Sequence, residues 1–361
     1  MPDEFNDEIE KFEREQEETE DYNEAPPSDI VAFNELRSCA DLVRMYKAKQ
    51  LIIKPDFQRD VVWTNPNQTR FIDSLVKQLP IPSMCLSLDY KTEKRLMIDG
   101  LQRISSIIRF LTDDEWRLSK LEDIDPRISG RNVSHIRDKY FEIYSRIENL
   151  TIPVTVLRCD YSKSSHMNYL FTIFHRLNTG GNKLSNQEIR NCIYQGPFNE
   201  LLKSIVQNTN TRYLFNLESD NSYRFSYEEL FLRAFCFSEK LDSYKGKLAK
   251  FLNDYMDEKR KIDEAHIERL GRNMQRSINL LYQRVLDGQS MPKLSKATTE
   301  AILVGVYTHI DRLEGMPDQD LRTRLQALRD DDQFSIANLK EGLSAPDKVK
   351  DRISRAIQIF A

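Results

Sequence analysis

The chain has 361 residues, of which 40% are hydrophobic and 30% charged. This composition is typical of a globular protein with a buried core, and it excludes fibrous and low-complexity chains. The net charge of −4 conceals an asymmetry, because residues 1–29 carry 13 acidic and 2 basic side chains whereas the other 332 residues carry 44 and 51. The body of the chain is therefore mildly basic, which permits contact with phosphates without requiring it.

No apolar run is long enough to span a membrane, and the acidic N-terminus lacks the basic start of a signal peptide. We therefore expect a cytoplasmic protein without a membrane partner. The five cysteines form no CxxC pair and the five histidines are dispersed, so neither a disulfide framework nor a metal site is predicted. The sequence also lacks the GxxxxGKS or GxxxxGKT loop of P-loop nucleoside triphosphatases.

Residues 1–29 lack sustained apolar periodicity and are predicted to form an acidic disordered tail. From residue 30 to residue 196, short apolar runs alternate with helical stretches. Ser38 is placed to cap a helix that reaches Ala48, and KQLIIKPDF is typical of a strand followed by a turn. NPNQTRFIDSLVKQLP predicts an amphipathic helix that has Phe71, Leu75 and Leu79 on one face and that ends at Pro80.

The next stretches complete a mixed unit of strands and helices. SMCLSLDY and KRLMIDG predict two strands joined by the KTEK turn, and LQRISSIIRFLT predicts an amphipathic helix. TIPVTVLRCD predicts another strand, and SSHMNYLFTIFHRLN another helix. After residue 196 every periodic segment has helical spacing. We therefore expect an α+β domain over residues 30–196 and a mainly helical domain over residues 197–361.

The stretch MIDGLQR, residues 97–103, lies where a predicted strand becomes a helix. We expect Asp99 at the N-cap and Gly100 in the first turn, where the backbone can approach a ligand closely. Asp99, Gln102 and Arg103 then share one face of the helix entrance, and a helix N-terminus beside an arginine is a natural phosphate site. The alternative is that Asp99 only caps the helix and Arg103 only pairs with a surface acid.

Two further stretches place polar residues beside apolar runs. FQRDVVW, residues 57–63, contributes Gln58 and Arg59 directly after a turn. FHRLNTGGNKLSNQEIRN, residues 174–191, begins in a helix that carries Arg176 and leaves it at Asn178. Each of the three stretches alone is a weak signal, whereas the three in this order are a strong one.

The second of these stretches continues through a tight turn into another helix. Gly180 and Gly181 form the turn, and Ser185 is placed to cap the next helix with Glu188 as its capping-box partner. Arg190 adds a further arginine to the three already named. The three stretches together predict a pocket lined by arginines, glutamines, an asparagine and a Gly-Gly turn.

The ordered set FQRDVVW, LPIP, DGLQR and FHRLNTGGNKLSNQEIRN resembles the N-terminal domain of GmrSD-type modification-dependent restriction proteins. The resemblance spans about residues 35–215 and implies a ParB/sulfiredoxin-like fold. The family motif reads Asp-Gly-Gln-Gln-Arg and belongs to a site that binds and hydrolyses nucleotide. Asp99, Gly100, Gln102 and Arg103 match the motif, whereas Leu101 replaces its first glutamine.

The resemblance implies a role for each residue of the motif. Arg103 and Arg59 are expected to contact phosphate, Gln102 to position water or phosphate, and Asp99 to hold Mg²⁺ or water. We expect Asp99, Gln102 and Arg103 to be the catalytic residues. The predicted nucleotide-binding residues are Gln58, Arg59, Gly100, Arg176, Asn178, Gly180 and Gly181. A nucleoside triphosphate of undetermined base is the expected ligand, with Mg²⁺ as a candidate cofactor.

The wider superfamily separates related chemistries. In sulfiredoxins the equivalent helix entrance resembles Gly-Cys-His-Arg. Leu101 and Gln102 therefore occupy the positions of the cysteine nucleophile and the histidine. ParB proteins carry Gly-Glu-Arg-Arg, and Arg103 matches their last arginine. The shared chemistry is the capture of an anion by backbone amides and a guanidinium, and sulfiredoxin activity is not expected.

Two functions from different classes fit these observations. The first is an NTP-binding and NTP-hydrolysing component of a GmrSD-like restriction or anti-phage defence system, with DNA and a nuclease subunit as candidate partners. Because no nuclease motif is visible, a self-sufficient nuclease is not expected. The alternative is a non-enzymatic DNA-binding or adaptor protein that uses the same fold as a phosphate-recognising scaffold. The helical domain offers either a partner surface or a plain solvated one through its arginines, which include Arg272, Arg276, Arg284, Arg322, Arg324, Arg329, Arg352 and Arg355.

Overall fold

A computed structural model describes residues 25–53, 63–177, 184–217, 224–335, 338–339 and 345–361. The chain forms two compact units, one within residues 23–184 and the other within residues 185–361. The first unit combines a β-sheet with helices. The described residues of the second unit contain helices and no strand. The predicted domain boundary at residue 196 lies inside the second unit.

A five-stranded mixed sheet organises the first unit. Its strands lie in the order β1-β5-β3-β4-β2, with β5 pairing antiparallel to β1 and parallel to β3. β4 pairs antiparallel to β3 and parallel to β2. All six residues of the central strand β3 are buried. The strands are β1 (Val31–Ser38), β2 (Leu51–Ile52), β3 (Met84–Asp89), β4 (Arg95–Asp99) and β5 (Thr151–Cys159).

Six helices accompany the sheet in the described residues of the first unit. They are α1 (Cys39–Lys47), α2 (Asn65–Val76), α3 (Leu101–Thr112), α4 (Val133–Lys139), α5 (Phe141–Asn149) and α6 (Ser164–Leu177). The predicted cap of α1 is confirmed, because the Ser38 hydroxyl accepts a hydrogen bond from the Asp41 amide. The prediction for Leu79 is wrong. Helix α2 ends at Val76, and the Leu79 side chain is 49% exposed.

The described residues of the second unit form ten α-helices. The buried centre is α13, in which ten of thirteen residues are buried, and which contacts α10 and α16. The helices are α7 (Asn186–Ile193), α8 (Pro197–Gln207), α9 (Thr209–Leu214), α10 (Arg224–Lys240), α11 (Leu248–Lys259), α12 (Glu264–Asn279), α13 (Lys296–Thr308), α14 (Ile310–Leu313), α15 (Asp318–Arg329) and α16 (Pro346–Phe360). One π-helical turn, Leu280–Val285, follows α12 directly.

Candidate functional site

The junction between β4 and α3 is a sharp turn centred on a glycine. β4 ends at Asp99, and Gly100 is the N-cap of α3 with φ +100°. The prediction that Asp99 caps the helix is therefore wrong, because the turn requires a left-handed residue at the cap and Gly100 has no side chain to bond the first-turn amides. A Cβ at Gly100 would lie 2.8 Å from the Met84 Cγ. Backbone strain and close packing both select glycine here.

Arg103 ties this turn to the segment that enters β3. One of its terminal nitrogens donates to the Asp99 carboxylate at 2.8 Å. The other donates to the carbonyl oxygens of Pro82 and Ser83, the latter at 3.3 Å. The Arg103 side chain is 14% exposed, whereas that of Asp99 is 40% exposed. Asp99 and Arg103 therefore pair across one helical turn, as in the alternative reading in which Arg103 pairs with a surface acid, and Asp99 keeps carboxylate surface open to solvent.

Gln102 has a different neighbour among the described contacts. Its side-chain oxygen accepts a hydrogen bond from the Trp63 amide at 3.3 Å, and the Trp63 ring packs against Phe71 with centroids 5.5 Å apart. Gln102 thereby links α3 to the start of α2. Asp99 and Arg103 therefore interact directly with each other, whereas the side chain of Gln102 is directed toward Trp63.

A cleft of about 430 Å³ lies on the same side of α3 as Gln102. Ser105 and Arg109 follow Gln102 at i+3 and i+7, so one helix face carries all three. Sequence analysis missed this cleft because its walls come from three separate stretches of chain. A signal was nevertheless present in the two polar residues, Ser105 and Arg109, that share the helix face of Gln102. The lining residues are Ile53, Trp63, Asn65, Gln68, Ser105, Ile108 and Arg109.

The remaining predicted nucleotide-binding residues have different placements. Arg176 is exposed near the end of α6, a helix that contacts β4. Gln58, Arg59, Asn178, Gly180 and Gly181 lie outside the described residues. The capping box that follows them is confirmed: the Ser185 hydroxyl accepts from the Glu188 amide, and the Glu188 carboxylate accepts from the Ser185 amide.

Arg190 does not belong to a phosphate pocket, which corrects its grouping with the other arginines. It is 1% exposed and lies in the interior of the helical unit, where it donates to Asn253 at 2.9 Å and to Glu229 at 3.0 Å. Burial alone would raise the pKa of Glu229, but the charges of Lys296, Arg233 and Arg190 hold it well below the ordinary value. The Arg190 guanidinium is therefore committed to a buried ion network.

The sheet beneath the turn contains a thiol close to Asp99. Cys85 is opposite Asp99 in the β3–β4 register. Burial, reinforced by the charge of Asp99, raises the pKa of the Cys85 thiol to about 12. Cys85 is therefore a protonated thiol at neutral pH and not a nucleophile.

Metal-binding side chains are not clustered in the part of the chain that the structure describes. No group of three or more His, Cys, Asp or Glu side chains there is arranged to hold a metal ion. Asp99 offers one carboxylate, and Mg²⁺ commonly binds one or two carboxylates together with substrate phosphates and water. The turn is thus compatible with Mg²⁺ that arrives with a phosphate ligand.

The arginines of the helical unit are mostly neutralised by local acids. Examples are Arg276, which lies 2.7 Å from Asp311 and 2.6 Å from Glu314, and Arg284, which lies 2.7 Å from Asp318. Arg324 donates to the carbonyl oxygen of Ile359. These contacts are typical of a solvated helix surface. The other surface pairs are Arg272–Glu268, Arg322–Asp287 and Arg355–Asp331, whereas Arg352 is buried and lies near the buried Glu300.

Comparison with known proteins connects this geometry to a family. Residues 39–195 match the family model described as GmrSD restriction endonuclease, N-terminal domain. The matched region includes β2–β5, α1–α6 and the Gly100 turn. A search of curated proteins and a search of solved structures returned no match. None of the helices in the described ranges has the length and apolar character needed to cross a membrane. Residues 39–195 are therefore a domain of the type found at the N-terminus of GmrSD restriction endonucleases.

Proposed function

We propose that this chain is the nucleotide-binding component of a GmrSD-like restriction or defence system and that the phosphates of a nucleoside triphosphate bind at the Gly100 turn. The observation that carries this proposal is a helix entrance capped by a left-handed glycine beside a fixed arginine. The GmrSD-type domain over residues 39–195 supports the same assignment.

The α3 entrance offers the groups that a phosphate needs. The first N–H groups of a helix have no intrahelical acceptor, and Gly100 provides no side-chain cap for them. The helix dipole adds a partial positive charge of about half a unit at this end. Because Gly100 has no Cβ, a phosphate oxygen can approach the backbone closely.

Arg103 is held in position and still has donors to spare. A guanidinium has five N–H donors, and the described contacts to Asp99, Pro82 and Ser83 use three of them. A bound phosphate would accept from the remaining donors without dismantling these contacts. The nearby Asp99 carboxylate would repel the phosphate unless a cation lies between them, which supports a requirement for Mg²⁺.

The same geometry supports binding more strongly than turnover. Hydrolysis needs a group that orients the attacking water, yet the Gln102 side-chain oxygen accepts from the Trp63 amide and Leu101 replaces the first glutamine of the family motif. A phosphate-recognising scaffold without turnover is therefore the second candidate. Release of inorganic phosphate, measured with and without DNA, distinguishes the two.

Isothermal titration calorimetry of the full chain with ATP, GTP, CTP and UTP in the presence of Mg²⁺ tests the proposal. Arg103→Gln removes the positive charge but keeps an amide donor for the Pro82 and Ser83 carbonyls. We expect this variant to weaken binding by about tenfold or more, the effect of losing a charge-assisted hydrogen bond.

The matched control is Arg137→Gln. Arg137 forms an ion pair with Asp114, 2.6 Å in length, that does not involve the turn. This variant should bind nucleotide as the wild type does. The proposal is contradicted if no nucleotide binds, or if the two folded variants have equal affinities.

A further inference from the structure

The cleft beside α3 contains polar groups that the described residues leave without a hydrogen-bond partner. Gln68 is only 5% exposed, and its side-chain oxygen accepts from Arg109 at 2.9 Å. Its NH₂ group has no hydrogen-bond partner among the described residues. The Ser105 hydroxyl, also in the cleft wall, likewise makes no hydrogen bond to the described part of the chain. Gln68 is buried and Ser105 is half-buried in the cleft wall, so both side chains offer hydrogen-bond donors to a molecule that enters the cleft.

The other walls of the cleft are apolar or already paired. Ile53 and Ile108 provide aliphatic surface, and Trp63 provides an indole. Asn65 is fully engaged, since it accepts from the Trp116 indole nitrogen at 2.6 Å and donates to Ser119 and to the Arg117 carbonyl. Within the described lining, the cleft is therefore a largely apolar slot to which Gln68, Ser105 and Arg109 contribute polar side chains.

Arg109 is held in a fixed orientation at one end of this slot. Its guanidinium lies 4.6 Å from the centre of the Trp116 ring, donates to Gln68 and lies 3.6 Å from Asp113. Several of its N–H donors remain for a ligand. Together with the Gln68 NH₂ group and the Ser105 hydroxyl, Arg109 makes the cleft rich in donors. A flat ligand with adjacent acceptors on its edge matches this arrangement.

The position of the cleft relates it to the phosphate site. Ser105 and Arg109 lie about 7.5 Å and 13.5 Å farther along the axis of α3 than Gly100, from the rise per residue of a helix. This spacing is comparable with the reach of a nucleoside from its 5′ oxygen to its base. A ligand held by its phosphates at Gly100 would therefore extend its base into the cleft.

We infer that the cleft lined by Gln68, Ser105 and Arg109 is the nucleobase pocket of this domain. The inference rests on the proposed function, because it takes the Gly100 turn as the phosphate site. The apolar walls would contact the faces of the base, and the three polar side chains would donate to acceptors on its edge. Guanine, whose O6 and N7 are adjacent acceptors, is a suitable probe of this chemistry.

The test compares two probes on the full chain by calorimetry: GTP and inorganic tripolyphosphate, each with Mg²⁺. Tripolyphosphate reports on the phosphate site alone. Ser105→Leu fills the cleft from a half-buried helix position and should weaken GTP binding by about tenfold or more without changing tripolyphosphate binding. Ser105→Ala leaves the cleft open and should weaken GTP binding by about threefold, the loss of one neutral hydrogen bond.

Ser145→Leu is the matched control, since Ser145 is also half-buried on a helix but does not line the cleft. It should leave both affinities unchanged. The assignment of the cleft as the nucleobase pocket is contradicted if GTP and tripolyphosphate bind equally well, or if Ser105→Leu does not affect GTP binding. Neither result contradicts the phosphate site. Failure of both probes to bind the wild type contradicts the proposed function itself.

Discussion

Replacing Gly100 with alanine tests the geometry on which the site depends. At φ +100° an L-residue incurs a cost of about 1–2 kcal/mol for the left-handed conformation. The new Cβ would lie 2.8 Å from the Cγ and 3.2 Å from the Cβ of Met84. Met84 is 1% exposed, so it cannot move away freely, and overpacking of this kind costs about 1–3 kcal/mol.

We therefore expect Gly100→Ala to lower the free energy of unfolding by about 2–5 kcal/mol, the combined cost of strain and overpacking. Urea denaturation followed by circular dichroism measures the change. Gly130→Ala is the matched control in the same unit, because Gly130 has φ +65° but its Cβ would meet the exposed side chain of Lys120 at 3.2 Å. This control should show mainly the backbone cost of about 1–2 kcal/mol.

A double-mutant cycle separates the two contributions. Met84→Ala removes the Cγ that causes the closest contact, so Gly100→Ala should cost only about 1–2 kcal/mol in the Met84→Ala background. If Gly100→Ala costs no more than Gly130→Ala, or the same amount with and without Met84→Ala, the close packing of the turn is refuted.

Three further predictions concern the buried charges, the acid response and the thiols. Arg190→Leu should lower the free energy of unfolding by about 3 kcal/mol in urea denaturation, because it removes one partner of the buried carboxylate Glu229. A change within about 0.5 kcal/mol, as expected of surface substitutions, would contradict the buried network. Asp29 accepts hydrogen bonds from Lys163 and His166, which lower its pKa from 3.8 to about 2. Its stabilising contribution is therefore present above pH 3.8 and lost as the pH falls through 2, so Asp29→Asn should reduce the acid-induced decrease in Tm, and an unchanged decrease would exclude this role. Burial raises the pKa of three thiols to about 12, so they should resist a disulfide reagent at pH 8 in the folded chain and react after denaturation; rapid reaction without denaturant would contradict their burial. These thiols belong to Cys39, Cys85 and Cys159.

Hydrophobic periodicity was sufficient to predict the central strands and most of the helices. It failed for β1, in which Val31, Phe33 and Leu36 are exposed, because no buried face imposes an alternating pattern. β1 nevertheless pairs with β5 along its whole length. That pairing depends on distant backbone groups, which local sequence does not reveal.

The candidate site shows the same division between local and distant causes. The capping box at Ser185 was predictable because both partners are three residues apart. The cap of α3 was not, because aspartate is a strong N-cap and the close approach of Gly100 to Met84, which leaves no room for a Cβ, involves a residue of another strand. Arg190 was misplaced for a related reason: its partner Glu229 comes from a distant helix of the second unit.

Amide hydrogen exchange of the full chain, with and without saturating nucleotide and Mg²⁺, tests the central claim most directly. If the phosphates bind the first-turn amides of α3, exchange should slow in peptides that cover residues 97–104, and Arg103→Gln should reduce this protection. Nucleotide binding that leaves the exchange of residues 97–104 unchanged would contradict the assignment of the Gly100 turn as the phosphate site.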